Sequence, residues 1–307
     1  MPSAFARIGS RGSPLALVQA RAVRDLIAAA NGVAPDAIEI RVIRTSGDII
    51  QDRPLAEVGG KGLFTKEIEQ ALLAGDVDLA VHSAKDMATQ LPPGLAIAAC
   101  LPREDPRDVF VSRSAKSFGE LPRGARIGTA SLRRAALARR LRSDVVIVPM
   151  RGNVETRLRK LADGEADATI LALAGLRRLG LADMATAILD VEQFLPAVGQ
   201  GVIAIEARAD DDRTRALAEA INDNDAAIAL AAERAFLAVL DGSCKTPIAG
   251  HARVDGSGIR FSGLIVKPDG SAAVTVARVG PLRNAAMLGA DAGSELKARA
   301  GPGYLAT

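Results

Sequence analysis

The chain has 307 residues, a length that predicts two domains or three small ones at roughly 100–200 residues per domain. Hydrophobic residues make up 49% and charged residues 24% of the chain, which is the composition of a globular protein and excludes a mainly disordered or fibrous one. The longest apolar stretches, such as residues 168–176, are too short to span a bilayer, so we expect no membrane partner. Because the net charge is only +3, we also expect no nucleic-acid partner.

The N-terminus and the rarest reactive residues limit location and chemistry. Residues 1–13 lack the apolar core of a secretory signal, so we expect the chain in the cytoplasm. The sequence has two cysteines and two histidines, which are Cys100, Cys244, His82 and His251. These are too few and too scattered for a disulfide framework or a zinc site. We therefore expect no metal, and chemistry that uses carboxylates, lysine, arginine, serine or a single thiol.

The first hundred residues alternate between strand and helix patterns. FARIGS predicts a short strand, and SPLALVQARAVRDLIAAANG predicts a helix with a serine cap, a proline in its first turn and an Asn-Gly stop. AIEIRVIRT predicts a second strand, and a glycine-rich loop then opens the helix FTKEIEQALLAG. Two further strands, DVDLAVHS and LAIAACLP, complete a pattern typical of an open α/β sheet.

A second α/β block follows the string CLPREDPRD, whose prolines and charges predict a crossing between domains. Three successive strand-loop-helix patterns, which begin at ARIGTA, DVVIVPM and DATILAL, place three helix N-termini along one edge of a sheet. The passage FLPAVGQGVIAIEARADD predicts a strand that returns to the first sheet. Two helices, a hairpin around Pro-Asp-Gly and a last helix then form a small α+β region.

The predicted fold is therefore α/β, with two doubly wound lobes like those of periplasmic binding proteins and a third, small α+β domain. We expect domain 1 to comprise residues 1–101 plus 200–220, domain 2 residues 102–199, and domain 3 residues 221–307. No internal repeat is evident along the chain.

Positive charge is concentrated in residues 123–159, which contain ten arginines, no lysine and two acids, Asp144 and Glu155. Arginine forms forked hydrogen bonds to carboxylate or phosphate, so this segment favours an anionic ligand. The alternative is that arginine replaces lysine throughout a chain with 31 Arg and 8 Lys, and that residues such as Arg139 and Arg140 lie on a solvated helix face.

Two strings contain candidates for chemistry. In DGSCKTP, Cys244 follows a long helix on a loop, and the neighbouring lysine favours a reactive thiolate, whereas Cys100 in an apolar run reads as a core residue. In HSAKD, Lys85 and Asp86 follow a strand at the expected crevice of an open sheet, where the carboxylate suits a catalytic acid or a cation anchor. The alternative for HSAKD is an ordinary turn in which Ser83 or Asp86 is a cap.

Nine strings together resemble one family, the porphobilinogen deaminases, also called hydroxymethylbilane synthases, which join four porphobilinogen units in tetrapyrrole synthesis. They run through residues 7–250 in the family's order and are IGSRGSPLALVQA, GGKGLFTKEIE, AVHSAKD, REDPRD, GTASLRR, RGNVETR, LALAGLRRLG, LPAVGQG and DGSCKTPIAG. Two positions depart from the family's usual pattern, since Ala88 stands where proline is usual and Ala130 where serine is frequent. Ala88 is the one that bears on the turn that positions Asp86.

The resemblance implies a transferase with a covalent dipyrromethane cofactor, held by a thioether to Cys244. Asp86 would be the catalytic residue, a buried carboxylate that binds pyrrole N–H groups and stabilises developing positive charge. The remaining implied sites bind the carboxylates of cofactor and substrate or form a mobile loop. Implied cofactor contacts are Lys85, Asp86, Ser131, Arg133, Arg134 and Gly152. Implied substrate contacts are Arg11, Ser13, Arg151, Arg157, Arg178 and Gln200. The implied loop is Gly59, Gly60, Lys61 and Gly62.

The residues alone also allow other classes of protein. Two α/β lobes with an arginine-rich lining also describe a solute-binding protein or the effector domain of a transcription regulator, and neither needs the thiol of Cys244. A nucleotide-dependent transferase would need a phosphate-binding loop, which the sequence lacks. The resemblance further implies porphobilinogen as the small-molecule substrate and a monomeric chain.

Overall fold

The computed structural model describes residues 4–49, 62–240, 246–301 and Tyr304. Its strands are β1 (Ala6–Ser10), β2 (Ile38–Val42), β3 (Leu79–Ser83), β4 (Leu95–Cys100), β5 (Asp108–Ser112), β6 (Arg126–Gly128), β7 (Val146–Val148), β8 (Ala168–Ala172), β9 (Ala187–Ile188), β10 (Ile203–Arg208), β11 (Ile248–Asp255), β12 (Gly258–Val266) and β13 (Ala273–Pro281). Its α-helices are α1 (Pro14–Asn31), α2 (Ser46–Ile49), α3 (Lys66–Leu73), α4 (Leu132–Leu141), α5 (Val154–Ala162), α6 (Leu173–Arg178), α7 (Asp212–Glu219), α8 (Asn224–Val239) and α9 (Ala285–Ala300).

The chain divides into two compact units. Unit 1 contains the described residues of 1–50, 60–104 and 201–227, and unit 2 contains those of 105–200 and 228–307. Along the described residues the chain therefore changes unit at 104/105, at 200/201 and at 227/228. The first two changes lie close to the boundaries expected at 101/102 and 199/200, and the third lies seven residues after the boundary expected at 220/221. Unit 2 includes residues 228–307 of the segment predicted as domain 3, whereas residues 221–227 belong to unit 1. The bounds of domain 3 stay a prediction.

Unit 1 is built on a five-stranded sheet in the order β2-β1-β3-β10-β4. Strands β1, β2 and β3 are parallel, whereas β10 is antiparallel to β3 and β4. The predicted return of the chain to the first sheet is thus confirmed. Helix α1 begins as predicted: the Ser13 hydroxyl accepts a hydrogen bond from the Ala16 amide, and Gly32 ends the helix in the left-handed conformation, with φ of 63°.

The buried face of α1 covers this sheet. Val23 and Ile27 of the helix pack with Ile8 of β1, Leu79 of β3 and Ile205 of β10 in one core cluster. These side chains are fully buried, so their removal from water is the main stabilisation of the unit. The core fixes the register of the strands and thereby the positions of the residues that follow β1 and β3.

Unit 2 contains a second five-stranded sheet, in the order β7-β6-β8-β5-β9. Strands β6, β7 and β8 are parallel, and β5 is antiparallel to β8 and β9. Because a helix follows each parallel strand, the N-termini of α4, α5 and α6 lie along one edge, as predicted. The α/β fold class with two doubly wound lobes is confirmed by these two sheets.

The C-terminal part of unit 2 is an antiparallel sheet, β11-β12-β13, with α8 and α9. Helix α9 packs very closely on α8, because a Cβ on Gly289 would lie 2.0 Å from the Ala232 carbonyl oxygen. The predicted Pro-Asp-Gly hairpin is confirmed between β12 and β13, and Gly270 at its tip packs against α4. Among the described residues, no helix is long and apolar enough to cross a membrane.

Candidate functional site

A small cavity of about 50 Å³ lies in unit 1, where the parallel strands β1 and β3 end side by side. Arg11 and Ser13 reach it from the turn between β1 and α1, and Asp86 reaches it from the short 3₁₀ turn Ala84–Asp86 after β3. His82 and Phe64 also line it. The structure therefore brings together three predicted site residues from two separate strings, at the edge where open sheets bind ligands.

Of the described residues that line this cavity, Asp86 is the only one with a carboxylate. Its side chain is exposed, and the structure gives it no hydrogen bond or ion pair within the described residues. The carboxylate therefore lies at the surface, not in the buried position that the family resemblance implied. The cap alternative is not supported either, since neither Ser83 nor Asp86 accepts a capping hydrogen bond there.

Arg11 is held in place by two neighbours. Its guanidinium forms an ion pair with Asp48 of α2 and lies 4.3 Å above the centre of the Phe64 ring. Burial alone would raise the pKa of the Asp48 carboxyl, but the hydrogen bonds from Arg11 and Thr45 outweigh it and lower the pKa. Arg11 is thus oriented toward the cavity with part of its charge already balanced.

One polar pair beside the cavity was missed by the sequence analysis. Gln19 of α1 is almost fully buried, and its Nε2 donates to Ser83 Oγ over 3.0 Å. The signal was present, because Gln19 lies among Ala16, Ala20 and Val23 on the buried face of α1. A polar residue in an apolar stripe needs a buried partner, so its position alone marks it for attention.

The predicted arginine site in unit 2 centres on Asp108, the first residue of β5. Arg133 donates to one carboxylate oxygen over 2.7 Å, and Arg134 donates to the other over 2.8 and 3.1 Å. Arg133 also donates to the Leu195 carbonyl oxygen, and Gln200 donates to Asp108 over 3.1 Å. Asp108 is fully buried and both arginines nearly so. Two guanidinium groups share one carboxylate, which leaves a local excess of positive charge.

Burial shapes the electrostatics of this cluster. Desolvation lowers the pKa of the Arg133 guanidinium, the neighbouring Arg134 cation lowers it further, and Asp108 opposes both. Arginine nevertheless remains protonated in proteins, so an incoming anion meets two cations and one anion. Both arginines were predicted from the sequence, whereas Asp108 stood out there only as part of the REDPRD string.

The other predicted residues of unit 2 lie on the loops and helices that follow the parallel strands. Ser131 caps α4, and its Oγ accepts a hydrogen bond from the Arg134 amide. Gly152 precedes α5 with φ of 115°, where a Cβ would lie 2.6 Å from the Thr156 side chain, so glycine is required there. Arg157 of α5 donates to the Gly152 carbonyl oxygen over 2.9 Å. Arg151, shortly before α5, and Arg178, the last residue of α6, are both half-buried.

Several predicted positions lie outside the described residues: Cys244, Gly59, Gly60 and Lys61. Gly62 is described and has φ of 79°, while Lys85 is exposed beside Asp86. No group of three histidine, cysteine or acidic side chains that could hold a metal occurs in the part of the chain that the structure describes.

Comparison with known proteins decides the family. The model of the porphobilinogen deaminase dipyrromethane cofactor binding domain matches residues 6–216, and that of the porphobilinogen deaminase C-terminal domain matches residues 227–298. The chain belongs to the porphobilinogen deaminase family. The resemblance stated from the nine sequence strings is thereby confirmed.

Curated relatives of this family match nearly the whole chain. Porphobilinogen deaminases from Nitrobacter winogradskyi and from Nitrobacter hamburgensis are each 62% identical over 297 residues, which is 97% of this chain and 94% of theirs. Among solved structures, a nutrient binding protein from Burkholderia cenocepacia bound to methionine aligns at 16% identity with a TM-score of 0.44, over 71% of this chain and 91% of that one. That likeness is remote, and the fold class rests on the two sheets described above.

Proposed function

We propose that the chain catalyses the reaction of its family, in which four porphobilinogen molecules are joined head to tail with loss of ammonia and released as linear hydroxymethylbilane for heme synthesis. The observation that carries this proposal is the convergence of Asp86, Arg11 and Ser13 on one cavity of a chain whose family model is defined by a dipyrromethane cofactor. The enzyme class is a transferase.

Asp86 is the proposed catalytic residue. Its carboxylate has no partner within the described residues and is proposed to accept hydrogen bonds from pyrrole N–H groups. It would also stabilise the positive charge that develops as ammonia departs. Arg11, fixed by Asp48 and Phe64, offers remaining guanidinium donors to a substrate carboxylate. Ser13 sits beside it, with its hydroxyl near the start of α1.

The residues of unit 2 fit a group that bears several carboxylates. The two guanidinium groups on Asp108 leave excess positive charge. Ser131 and Gly152 lie at the N-termini of α4 and α5, where the helix dipole favours an anion. When bound, the dipyrromethane group supplies the pyrrole carbon to which the first substrate unit is joined. Lys85, Arg151, Arg157, Arg178 and Gln200 are proposed to bind carboxylates of cofactor or substrate.

The loop that contains Gly59 to Gly62 is proposed to screen the site from water. Three glycines in four residues suit a segment that changes conformation. We further propose that the chain works as a monomer in the cytoplasm, which sedimentation equilibrium of the purified protein tests through its molar mass. We assign no metal to the reaction.

Intact mass spectrometry tests the proposal most directly. The purified chain should carry the mass of two porphobilinogen units less two ammonia, located on Cys244 by peptide mapping. Cys244→Ser should abolish the normal adduct, whereas Cys100→Ala should keep it, because Cys100 is buried in β4. An unmodified chain that acquires no adduct from porphobilinogen would instead support a binding protein on the same scaffold.

A further inference from the structure

A buried histidine-carboxylate pair lies behind the cavity of unit 1. His82 of β3 is opposite Ala204, and Glu206 of β10 is opposite Ala80, so the two side chains are diagonal neighbours on one face of the sheet. His82 Nε2 lies 3.1 Å from Glu206 Oε2. Nothing in the reaction described above uses this pair.

Both side chains of the pair are buried. The His82 side chain is 3% exposed and that of Glu206 is 0% exposed. Glu69 of α3 is buried beside them, and burial raises the pKa of its carboxyl, with the charge of Glu206 raising it further. One oxygen each of Glu69 and Glu206 has no hydrogen-bond partner within the described residues. Of these two buried acids, Glu206 is the one whose side-chain oxygen lies within hydrogen-bond distance of His82.

The hydrogen bond to Glu206 determines what His82 presents to the cavity. An ionised carboxylate only accepts hydrogen bonds, so the ring hydrogen resides on Nε2. In the neutral ring Nδ1 then carries a lone pair, and the structure gives the ring no second hydrogen bond within the described residues. His82 lines the cavity together with Asp86.

We propose that His82 contacts the substrate, with Nδ1 accepting a hydrogen bond from the protonated aminomethyl group, and that Glu206 is a positioning residue that fixes the tautomer. This inference rests on the proposed function. When the carbon–nitrogen bond breaks, its electron pair leaves with nitrogen as neutral ammonia and the positive charge stays on the pyrrole. His82 forms no covalent bond, and no group is oxidised or reduced.

A neutral acceptor suits this position better than a second carboxylate. A second anion would bind the ammonium of the bound substrate more strongly than the ammonia that departs, and so would raise the barrier. A neutral imidazole also orients the leaving group, but it favours the ammonium of the bound substrate over the departing ammonia less strongly than a carboxylate does. Asp86 remains the group that stabilises the charge left on the pyrrole.

Nitrogen NMR of the enzyme, purified with its cofactor, tests the tautomer. The chain has two histidines, so the spectrum of ¹⁵N-histidine-labelled protein contains two rings, and His251→Gln assigns them. At neutral pH we expect the His82 ring with hydrogen on Nε2 and none on Nδ1. Glu206→Gln should give a mixture of tautomers. Hydrogen on Nδ1 in the wild-type ring would overturn the proposal.

Kinetics separate a contact from a structural role. His82→Gln keeps an amide N–H in place of Nε2 but has no acceptor in place of Nδ1. We expect kcat/KM for porphobilinogen to fall about 10- to 100-fold, the loss of a hydrogen bond to a charged group. The inhibition constant of the same pyrrole dicarboxylate without the aminomethyl group should change less than about 2-fold, since that probe lacks the proposed donor. His251→Gln should match the wild type.

The remaining outcomes are distinct. Equal losses for substrate and probe in His82→Gln would make His82 structural and overturn the inference. If His82→Gln fails to fold, Glu206→Gln provides the same comparison, with a loss for substrate but not for probe expected. If the wild type does not consume porphobilinogen, the proposed function fails, and the proposed ligand of His82 fails with it. If the wild type consumes porphobilinogen and His82→Gln has the same kcat/KM, only the inference about His82 is refuted.

Discussion

The sheets of the two units have the same plan. Each has three parallel strands with the first in the middle, β2-β1-β3 in unit 1 and β7-β6-β8 in unit 2. Beside the third strand each sheet has an antiparallel strand, β10 or β5, which the chain enters after it crosses from the other unit. The two units therefore differ in the side chains at one common edge, not in how that edge is built.

The similarity extends to one ion pair in each unit. Arg7 of β1 binds Asp78 before β3, and Arg126 of β6 binds Asp167 before β8. In both, the aspartate carboxylate accepts from the arginine amide over 2.7 Å, and the aspartate amide donates to the arginine carbonyl oxygen. The expectation of no internal repeat therefore misses the shared strings ARIGS and ARIGT.

The units differ in the acidic residues at this common edge. Eight residues after Asp78, unit 1 has Asp86, exposed on a short turn; eight residues after Asp167, unit 2 has Gly175, buried in α6. On the antiparallel strand, unit 2 instead buries an acid, Asp108, beneath two arginines. In the proposed function, one edge would present a carboxylate to a developing cation, and the other would present excess positive charge to carboxylates.

The largest effect should come from the acid of unit 1. Asp86→Asn keeps the shape but removes the charge, so we expect turnover of porphobilinogen to fall about 100- to 1,000-fold. Because Asp86 is exposed and has no protein partner within the described residues, the free energy of unfolding should change by less than about 0.5 kcal/mol. Steady-state kinetics and urea unfolding measure the two. A variant that turns over normally would remove Asp86 from the mechanism.

The acid of unit 2 should show the opposite pattern. Asp108→Ala leaves two buried guanidinium groups without their carboxylate, and we expect a loss of about 3–5 kcal/mol in the free energy of unfolding. Arg134→Met in the same chain should recover part of that loss, because one buried cation is removed. Asp144→Ala, which breaks the more exposed pair with Arg142, is the matched control and should lose less. Equal losses at both positions would show that burial does not set this energy.

Much of the fold follows from local pattern. The serine cap, proline and Asn-Gly stop of α1 each act within one helix, and the alternation of strands with helices is enough to predict two α/β sheets. The crossings were placed within a few residues because proline and charge interrupt the pattern there. The packing of the β11-β12-β13 sheet against the rest of unit 2 could not be predicted from local pattern. It depends on contacts between segments that are distant in sequence, such as Gly270 and α4.

The exposed acid and the arginines of the candidate site were predicted from the sequence, whereas their buried polar neighbours were not. Asp86 and the arginines stand out by charge and by position after strands. Asp108, Glu206 and Gln19 instead act through partners 25 to 124 residues away in sequence, which no local pattern specifies. Family resemblance supplied roles for residues, but only the folded chain shows which of their charges are already paired.

A smaller effect should distinguish the two equivalent ion pairs. Asp78 is 12% exposed and also lies 3.8 Å from Arg208, whereas Asp167 is 33% exposed and pairs with a more exposed arginine. We expect Asp78→Asn to lower the free energy of unfolding by about 2 kcal/mol and Asp167→Asn by about 1 kcal/mol or less. Urea unfolding at pH 7 measures both. Equal costs would mean that topology, not burial, sets the strength of these pairs.

The smallest effect is the pH dependence of that difference. Burial would raise the pKa of Asp78, but the hydrogen bonds from Arg7 lower it overall, and the Arg126 amide lowers the pKa of Asp167. A carboxyl whose pKa is lowered by folding stabilises the protein above its unfolded pKa of about 3.9, and that contribution disappears as pH falls through the folded value. The cost of Asp78→Asn should therefore be constant from about pH 7 to pH 5 and shrink below about pH 4. A cost that stays constant in acid would show that the carboxylate charge contributes nothing and that shape alone is lost in the variant.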